Sequence, residues 1–332
     1  MKIRAMIIDE AEDSRRRLSE ILESEHSIEV VCKLGDEAGI GEMAGWVAPD
    51  VILIKVGMCK KGGPALFDAV LKKKTPLIVM GNGREDECTQ LVELLGKGAV
   101  DFLILPGGKK EIVEKVKNAA MATPVDLKDR LSVIKFRFPK PAELRKLIVI
   151  ASSTGGPQAL RRIIPRIPKN LPAAIIIVQH MGRGFTAQLA KSLGKISDIK
   201  VKEAQDGEPL VKGVAYVAPY GLHLFVEDGK ITLKEGPPKH GVTPSADYAM
   251  KSAAEAYGMD SIGVVLTGMG KDGAIGIKEI KNAGGRTIVQ DRKTSVVFRM
   301  PQEALKTGRV DKVVELERIS EVLVQEVCKL YE

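Results

Sequence analysis

Residues 147–157 read LIVIASSTGGP, and this short segment carries the strongest structural signal of the chain. Its first five residues are apolar, which predicts a buried strand over Leu147–Ala151. The small hydroxyl residues Ser152, Ser153 and Thr154 follow, and two glycines and a proline then permit a tight turn into a helix. A strand, a turn and a helix in this order form the repeating unit of a parallel α/β sheet.

The same alternation extends over both halves of the 332-residue chain. Further strands are predicted at Ile3–Ile8, Val51–Ile54, Pro76–Met80, Asp101–Leu105, Ala174–Val178, Gly263–Leu266 and Arg286–Val289. Helices of the first half are predicted at Ser14–Ser24, Pro64–Lys74 and Glu85–Gly96. Three shorter strands are expected to form a set of hairpins, at Tyr216–Ala218, His223–Val226 and Ile231–Lys234. Apolar strands separated by amphipathic helices predict an α/β protein whose parallel sheets carry helices on both faces.

Length and charge divide the chain into two domains, since a domain holds roughly 150 residues. Residues 1–106 carry 14 Lys and Arg against 18 Asp and Glu, whereas the remainder carries 37 against 25. The segment 107–145 is rich in Lys, Arg and Pro and opens with a predicted helix at Lys110–Met121. We therefore expect a first domain over 1–106, a terminal helix and linker over 107–145, and a second domain over 146–332.

Composition excludes several classes of protein. Apolar residues make up 44% of the chain and charged residues 28%, as in a soluble globular protein. No apolar run approaches the ~20 residues that span a bilayer, and acidic residues follow the N-terminus too soon for a signal peptide. The four cysteines form no CxxC pair, which argues against a disulfide framework or a zinc site. We therefore expect a cytoplasmic protein without membrane insertion.

The basic second half raises the question of its partner. A basic surface suits a nucleic acid, an anionic membrane or an acidic protein. Aromatic residues, on which single strands stack, make up only 4% of the chain, and no helix-turn-helix pattern is present. A nucleic acid is therefore disfavoured, and two interpretations stay open: an acidic protein partner, or a solvated surface with an excess of lysine.

Three predicted strand ends of the second half carry side chains suited to nucleophilic catalysis. Ser153 follows Leu147–Ala151 and His180 follows Ala174–Val178. Asp272 lies in the glycine-rich turn after the predicted strand Gly263–Leu266. Parallel strands bind ligands at their carboxyl edge, and a serine, a histidine and an aspartate there suit acyl transfer. Each residue alone also has a plainer interpretation: a turn or phosphate loop, a structural histidine, and a helix N-cap.

Four separate motifs resemble the chemotaxis protein-glutamate methylesterase family, CheB. They are ASSTGGP at Ala151–Pro157, VQHMGRGFT at Val178–Thr186, TPSAD at Thr243–Asp247 and LTGMGKDGA at Leu266–Ala274. Further similarity through Asp206–Tyr220 and Asn282–Pro301 extends the resemblance over residues 146–332. It implies a three-layer α/β domain with a parallel sheet. The implied activity is hydrolysis of glutamate methyl esters on the cytoplasmic helices of chemoreceptors during chemotaxis adaptation. Some members also deamidate glutamine there.

The resemblance also implies roles for individual residues. Ser153 would be the nucleophile, His180 the base and Asp272 the acid that orients it, and the backbone near Thr154 and Met269 would border the oxyanion. Ser152 stands where alanine is commoner in the family, but the spacing to the two glycines selects Ser153. Neither a metal nor an organic cofactor is implied. The implied partners are chemoreceptors and the chemotaxis histidine kinase.

The first domain resembles the flavodoxin-like (βα)5 receiver domain of response regulators, which precedes the catalytic domain in this family. Asp9 and Glu10 match the acidic pair that holds magnesium. Lys55, however, stands in place of the phosphate-accepting aspartate, Gly81 in place of a Ser or Thr, and Leu105 in place of a Lys before proline. A lysine cannot form an acyl phosphate, and its charge competes with the metal. We therefore expect a pseudo-receiver, a domain that keeps the receiver fold without its phosphorylation.

Regulation follows from this departure. We expect the Lys55 ammonium to pair with Asp9 or Glu10 in the place of the metal. In the family the receiver covers the catalytic cleft until it is phosphorylated, so the resemblance favours an unswitched, covering domain. Three alternatives stay open: a domain that serves only for docking, a non-catalytic adaptor, and an esterase or amidase for another protein.

Overall fold

The computed structural model describes residues 2–36, 39–61, 75–123 and 144–329. The chain divides into two compact units, Met1–Asp126 and Leu127–Glu332, and each contains its own parallel sheet. Within the described ranges no helix combines the length and the apolar character that a bilayer-spanning segment needs.

The first unit is built on a five-stranded sheet. Its strands are β1 (Ile3–Ile8), β2 (Ile28–Leu34), β3 (Val51–Lys55), β4 (Leu77–Gly81) and β5 (Asp101–Ile104). Its described helices are α1 (Glu12–Glu23), α2 (Ile40–Val47), α3 (Val56–Lys61), α4 (Glu85–Lys97) and α5 (Lys109–Ala120). The strand order is β2-β1-β3-β4-β5 with parallel pairing throughout, which confirms the flavodoxin-like fold.

The helix predicted at Lys110–Met121 belongs to this unit. As α5 it packs against α1 and against the strands of the sheet. It buries Ile112 and Val116 there, so the compact unit continues past residue 106. The helix predicted at Pro64–Lys74 lies outside the described residues.

The second unit contains nine strands in its described part. They are β6 (Lys146–Ser152), β7 (Ala173–Gln179), β8 (Lys200–Glu203), β9 (Val214–Val217), β10 (His223–Glu227), β11 (Lys230–Lys234), β12 (Ser261–Val265), β13 (Arg286–Gln290) and β14 (Lys312–Val314). Seven of them form a parallel sheet in the order β14-β13-β12-β6-β7-β9-β8, and β10 and β11 form an antiparallel hairpin.

Helices cover both faces of the seven-stranded sheet. They are α6 (Gly156–Ile163), α7 (Phe185–Gly194), α8 (Ala246–Tyr257), α9 (Ala274–Asn282), α10 (Arg299–Lys306) and α11 (Leu316–Cys328). The helices α8 and α10 pack on α9, and α7 and α11 pack on α6. Leu147, Val149 and Ala151 of β6 join α8, α9 and α10 in one apolar cluster. The alternate residues of a strand point to the opposite face, so the unit has the expected three layers.

The prediction that three short strands form a set of hairpins is wrong for one of them. The strand β9 is not part of the hairpin, because it pairs in parallel with β7 on one side and β8 on the other. Its residues Ala215, Tyr216 and Val217 are buried, as in a strand covered on both faces. Only β10 and β11 form the antiparallel pair.

Candidate active site

Three strand ends meet at the carboxyl edge of the seven-stranded sheet. The amide of His180, just past β7, donates to the carbonyl of Ser152 over 3.0 Å. On the other side of β6, the Ser153 amide donates to the carbonyl of Thr267, past β12, over 3.1 Å. The backbone of Ser153 is therefore held between the two strands that lead to His180 and to the turn containing Asp272.

The two adjacent serines have different environments. Ser152 is fully buried, and its hydroxyl donates to Gln179 Oε1 over 2.7 Å. Ser153 is partly exposed at the strand end. The Gln179 amide nitrogen donates in turn to the carbonyls of Ser153 and His180, both over 3.0 Å. Ser153 is therefore the serine that can meet a substrate, and Gln179 fixes the backbones of both site residues.

The imidazole of His180 is paired with Asp272. His180 Nε2 lies 2.8 Å from Asp272 Oδ2, with the two side chains 10% and 2% exposed. An ionised carboxylate only accepts hydrogen bonds, so Nε2 carries the hydrogen and Nδ1 is left as the basic nitrogen. This is the orienting contact that a histidine base needs.

Asp272 is held by the start of another helix. Its carboxylate accepts from the Ser245 hydroxyl over 2.7 Å and from the amides of Ala246 and Asp247 over 2.6 and 3.1 Å. Burial alone would raise the pKa of Asp272, but the hydrogen bonds from His180, Ser245 and Ala246 outweigh burial and lower this pKa below its ordinary value. The carboxylate thus stabilises the first turn of α8. It does not cap its own helix α9, whose N-cap residue is Gly273.

Thr154 follows Ser153 in the turn after β6, and Met269 follows Gly268 in the turn after β12. The Thr154 carbonyl accepts from the Thr267 hydroxyl over 2.9 Å, which ties the turn after β6 to the end of β12. Gly268 stands directly against Ser153, because a Cβ at Gly268 would lie 2.7 Å from Ser153 Cβ. Among the hydrogen bonds of the described residues, none engages the Met269 amide.

Two cationic residues lie close in sequence to the residues of this site. Arg183 and Lys271 are exposed, three residues after His180 and one before Asp272. The Arg183 guanidinium carbon lies 6.0 Å from the centre of the Tyr220 ring, which follows β9.

Across the part of the chain that the structure describes, no three His, Cys, Asp or Glu side chains converge as metal ligands would.

In the first unit, the expected pairing of Lys55 with Asp9 or Glu10 is wrong. The Lys55 ammonium donates to Asn82 Oδ1 over 2.5 Å. The reason is register, because Lys55 lies opposite Met80 in the β3–β4 pair and reaches the turn after β4. Asp9 is buried, and its carboxylate accepts from the Ala11 amide over 3.0 Å and from the Ser14 hydroxyl over 2.7 Å.

Gly81 and Leu105 are the other two positions at which the first unit departs from the receiver pattern. A Cβ at Gly81 would lie 2.8 Å from Leu91 Cδ1 and 3.2 Å from Glu87 Oε2. Glu87 also accepts from the backbone and side-chain amides of Asn82. Leu105 directly follows β5, and its amide donates to the Gly81 carbonyl over 2.8 Å. Side chains of α4 therefore occupy the space next to Gly81.

Comparisons with known proteins agree with both units. The sequence model of the CheB methylesterase family matches residues 148–323, and that of the response regulator receiver domain matches residues 5–117. A protein-glutamate methylesterase/protein-glutamine glutaminase of Pyrococcus abyssi is 41% identical, over 98% of this chain and 94% of its own length. The protein of the same name from Thermotoga maritima is 36% identical, over 97% and 98%.

A solved structure agrees with the second unit. The crystal structure of the Thermotoga maritima CheB methylesterase catalytic domain is 44% identical to the matched part. It superposes with a TM-score of 0.52, over 54% of this chain and 97% of that domain. On these matches, the chain belongs to the CheB methylesterase family and carries a response-regulator receiver domain before its catalytic domain.

Proposed function

We propose that the protein is a serine hydrolase that removes methyl esters from glutamate side chains of chemoreceptors. The observation that carries this proposal is the His180–Asp272 pair, whose atoms Nε2 and Oδ2 lie 2.8 Å apart beside the partly exposed Ser153. The relatives from Pyrococcus abyssi and Thermotoga maritima are named for this activity and for protein-glutamine glutaminase activity.

The chemistry follows from the roles of three side chains. The Ser153 hydroxyl attacks the ester carbonyl while its proton passes to His180, and Asp272 stabilises the imidazolium that forms. Backbone amides near Thr154 and Met269 donate hydrogen bonds to the oxyanion and stabilise its charge. Collapse of this intermediate returns the proton to the departing methoxide, so methanol leaves and an acyl-enzyme remains. Water then releases the free carboxylate by the same steps. An amide substrate loses ammonia by this route.

The substrate is proposed to be an acidic helical segment. Residues 146–332 carry 27 Lys and Arg against 20 Asp and Glu, and the exposed Arg183 and Lys271 stand beside the catalytic side chains. Complementary charge of this kind accelerates encounter. Because the receptor helices of the family are cytoplasmic, the same proposal places the enzyme in the cytoplasm, with the chemotaxis histidine kinase as a further partner.

The first domain, the compact unit that includes α5, is proposed to be a pseudo-receiver that a linker joins to the catalytic domain at 146–332. Lys55 replaces the phosphate acceptor, and its ammonium is engaged by Asn82. A hydroxyl side chain at Gly81 would require the ends of the Leu91 and Glu87 side chains to shift. These contacts support a domain that holds one state in the presence of phosphodonors.

The direct test is methanol release from methylated receptor. The full-length protein is expected to release methanol, and Ser153→Ala and His180→Ala are expected to abolish release. Asp272→Asn is expected to retain a trace, because the loss of this carboxylate costs about 10⁴-fold in the serine proteases. Release by Ser153→Ala at the wild-type rate would contradict the proposed nucleophile. Hydrolysis of a small ester without release from the receptor would indicate a different protein substrate.

A further inference from the structure

Asp247 and Asp272 stabilise the first turns of each other's helices. Asp272 precedes α9, and its carboxylate accepts from the Ala246 and Asp247 amides at the start of α8. Asp247 lies in the first turn of α8, and its Oδ1 accepts from the Gly273 and Gly276 amides at the start of α9, over 2.9 and 2.8 Å. Each carboxylate therefore depends on the placement of the other.

The second oxygen of Asp247 is also engaged. Asp247 is completely buried, and its Oδ2 lies 3.0 Å from His240 Nε2 and 3.9 Å from Lys239 Nζ. Burial and the neighbouring Asp272 raise the pKa of Asp247, while the Gly276 amide, Lys239 and His240 counteract this rise. Two histidine–carboxylate pairs thus lie side by side, and only the His180–Asp272 pair has a place in the proposed reaction.

We propose that Asp247 is a positioning residue of the esterase, which holds the turn at Gly273 and so keeps the Asp272 carboxylate opposite His180. The proposal rests on the proposed function of the site. Gly273 directly follows Asp272, so the bond from the Gly273 amide to Asp247 acts one residue away from the carboxylate that orients the base. A displacement of about 1 Å at a reacting group can lower a rate by about 100-fold.

Three variants separate positioning from general stability. Asp247→Ala removes the acceptor of both amides. Asp247→Asn keeps a side-chain oxygen that can accept them, although its charge is lost. Ser252→Ala is the matched control on the same helix, because the buried Ser252 hydroxyl accepts the Val226 amide over 3.0 Å and has no contact with Asp272. All three are compared as full-length protein, well below their unfolding temperatures.

Two rates are measured for each variant. One is methanol release from methylated receptor, and the other is labelling of Ser153 by a fluorophosphonate, which needs the serine and its base but no natural substrate. Asp247→Ala is expected to lower kcat and the labelling rate by about 10- to 100-fold with little change in KM. Asp247→Asn is expected to recover both rates to within about threefold of wild type. Ser252→Ala is expected to lower only the unfolding temperature.

Two results would overturn the positioning role. Asp247→Ala could match the wild-type rates, or Asp247→Asn could be as slow as Asp247→Ala, which would assign the effect to charge. Failure of the proposed function has a different signature. A wild-type protein that is labelled at Ser153 but releases no methanol has another substrate, and its labelling rates still test Asp247. Absence of labelling at Ser153 refutes the catalytic assignment together with the positioning role.

Discussion

The Ser152 hydroxyl donates to Gln179 Oε1 over 2.7 Å, and this bond assigns separate tasks to two consecutive serines. Ser152 lies opposite Gln179 in the β6–β7 pair inside the sheet, whereas Ser153 directly follows β6 and is partly exposed. The position of Gln179 also requires a glycine at residue 156, because a Cβ there would overlap Gln179 Oε1.

The first prediction distinguishes the two serines. Ser152→Ala leaves the buried Gln179 oxygen without its donor, which should lower the free energy of unfolding by about 1–3 kcal/mol. Its methanol release per folded molecule should stay near wild type. Ser153→Ala should keep the unfolding temperature and lose at least about 10³-fold in activity. Denaturation curves and methanol release decide the question, and the reverse pattern would make Ser152 the nucleophile.

The second prediction concerns acid stability. The pKa of Asp272 is lowered, so its stabilising contribution is complete above the unfolded-state pKa of about 3.9 and is lost as pH falls through the folded-state pKa. The pKa of Asp247 is raised, so protonation of Asp247 on acidification favours the folded state. The loss of stability in Asp272→Asn should therefore shrink as the pH falls below about 4. The stability of Asp247→Asn relative to wild type should be highest at neutral pH and decline as the pH falls.

Thermal unfolding midpoints of the three proteins, measured in steps from neutral pH to about pH 3, test this prediction. Parallel curves for wild type and Asp272→Asn would show that the Asp272 carboxylate titrates alike in the folded and unfolded states.

The third prediction concerns the cations at the rim of the site. Charge reversal by Arg183→Glu or Lys271→Glu should slow the encounter with an acidic substrate and raise KM by about 3- to 10-fold at low salt, with kcat nearly unchanged. The dependence of KM on salt should also become weaker. Lys293→Glu is the matched control, because it reverses a charge in the same unit at a side chain that is 83% exposed. This variant should behave as wild type. KM values that respond to salt as in wild type would reject steering by Arg183 and Lys271.

The fourth prediction concerns regulation by the first domain. If this domain covers the cleft, residues 146–332 alone should hydrolyse receptor esters faster than the full chain, and acetyl phosphate should change neither rate. The truncation is reasonable because the solved Thermotoga maritima catalytic domain, 44% identical to this part of the chain, was crystallised as a separate domain. Equal rates would reject the covering arrangement, and stimulation of the full chain by acetyl phosphate would reject the pseudo-receiver.

Local patterns of the sequence predict much of this fold. The strands β6 and β7 each contain a continuous apolar run, and the structure buries every residue of both. Edge strands were harder to predict, because β8 reads KVKE and has an exposed or half-buried side chain at each position. The strand β9 is only four residues long, so its pattern could not distinguish a hairpin from a sheet interior.

The site was predictable only in part, for a similar physical reason. Ser153, His180 and Asp272 each follow a strongly patterned strand. Gln179 and Asp247 act through hydrogen bonds to residues 26 to 29 positions away, which no local spacing reveals. The Lys55 partner was mispredicted because strand register determines which neighbouring turn a long side chain reaches.

Leu91 occupies the space beside Gly81, and this position bears on the proposed loss of phosphorylation. Replacing Lys55 by aspartate would place a carboxylate at the end of β3, but a Cβ at position 81 would lie 2.8 Å from Leu91 Cδ1, so a larger residue there requires the Leu91 side chain to shift. A smaller residue at 91 would open a void in the core, because Leu91 is completely buried. On the pseudo-receiver proposal, a return to phosphorylation therefore needs an aspartate at position 55 and a hydroxyl residue at position 81, together with a shift of the Leu91 side chain.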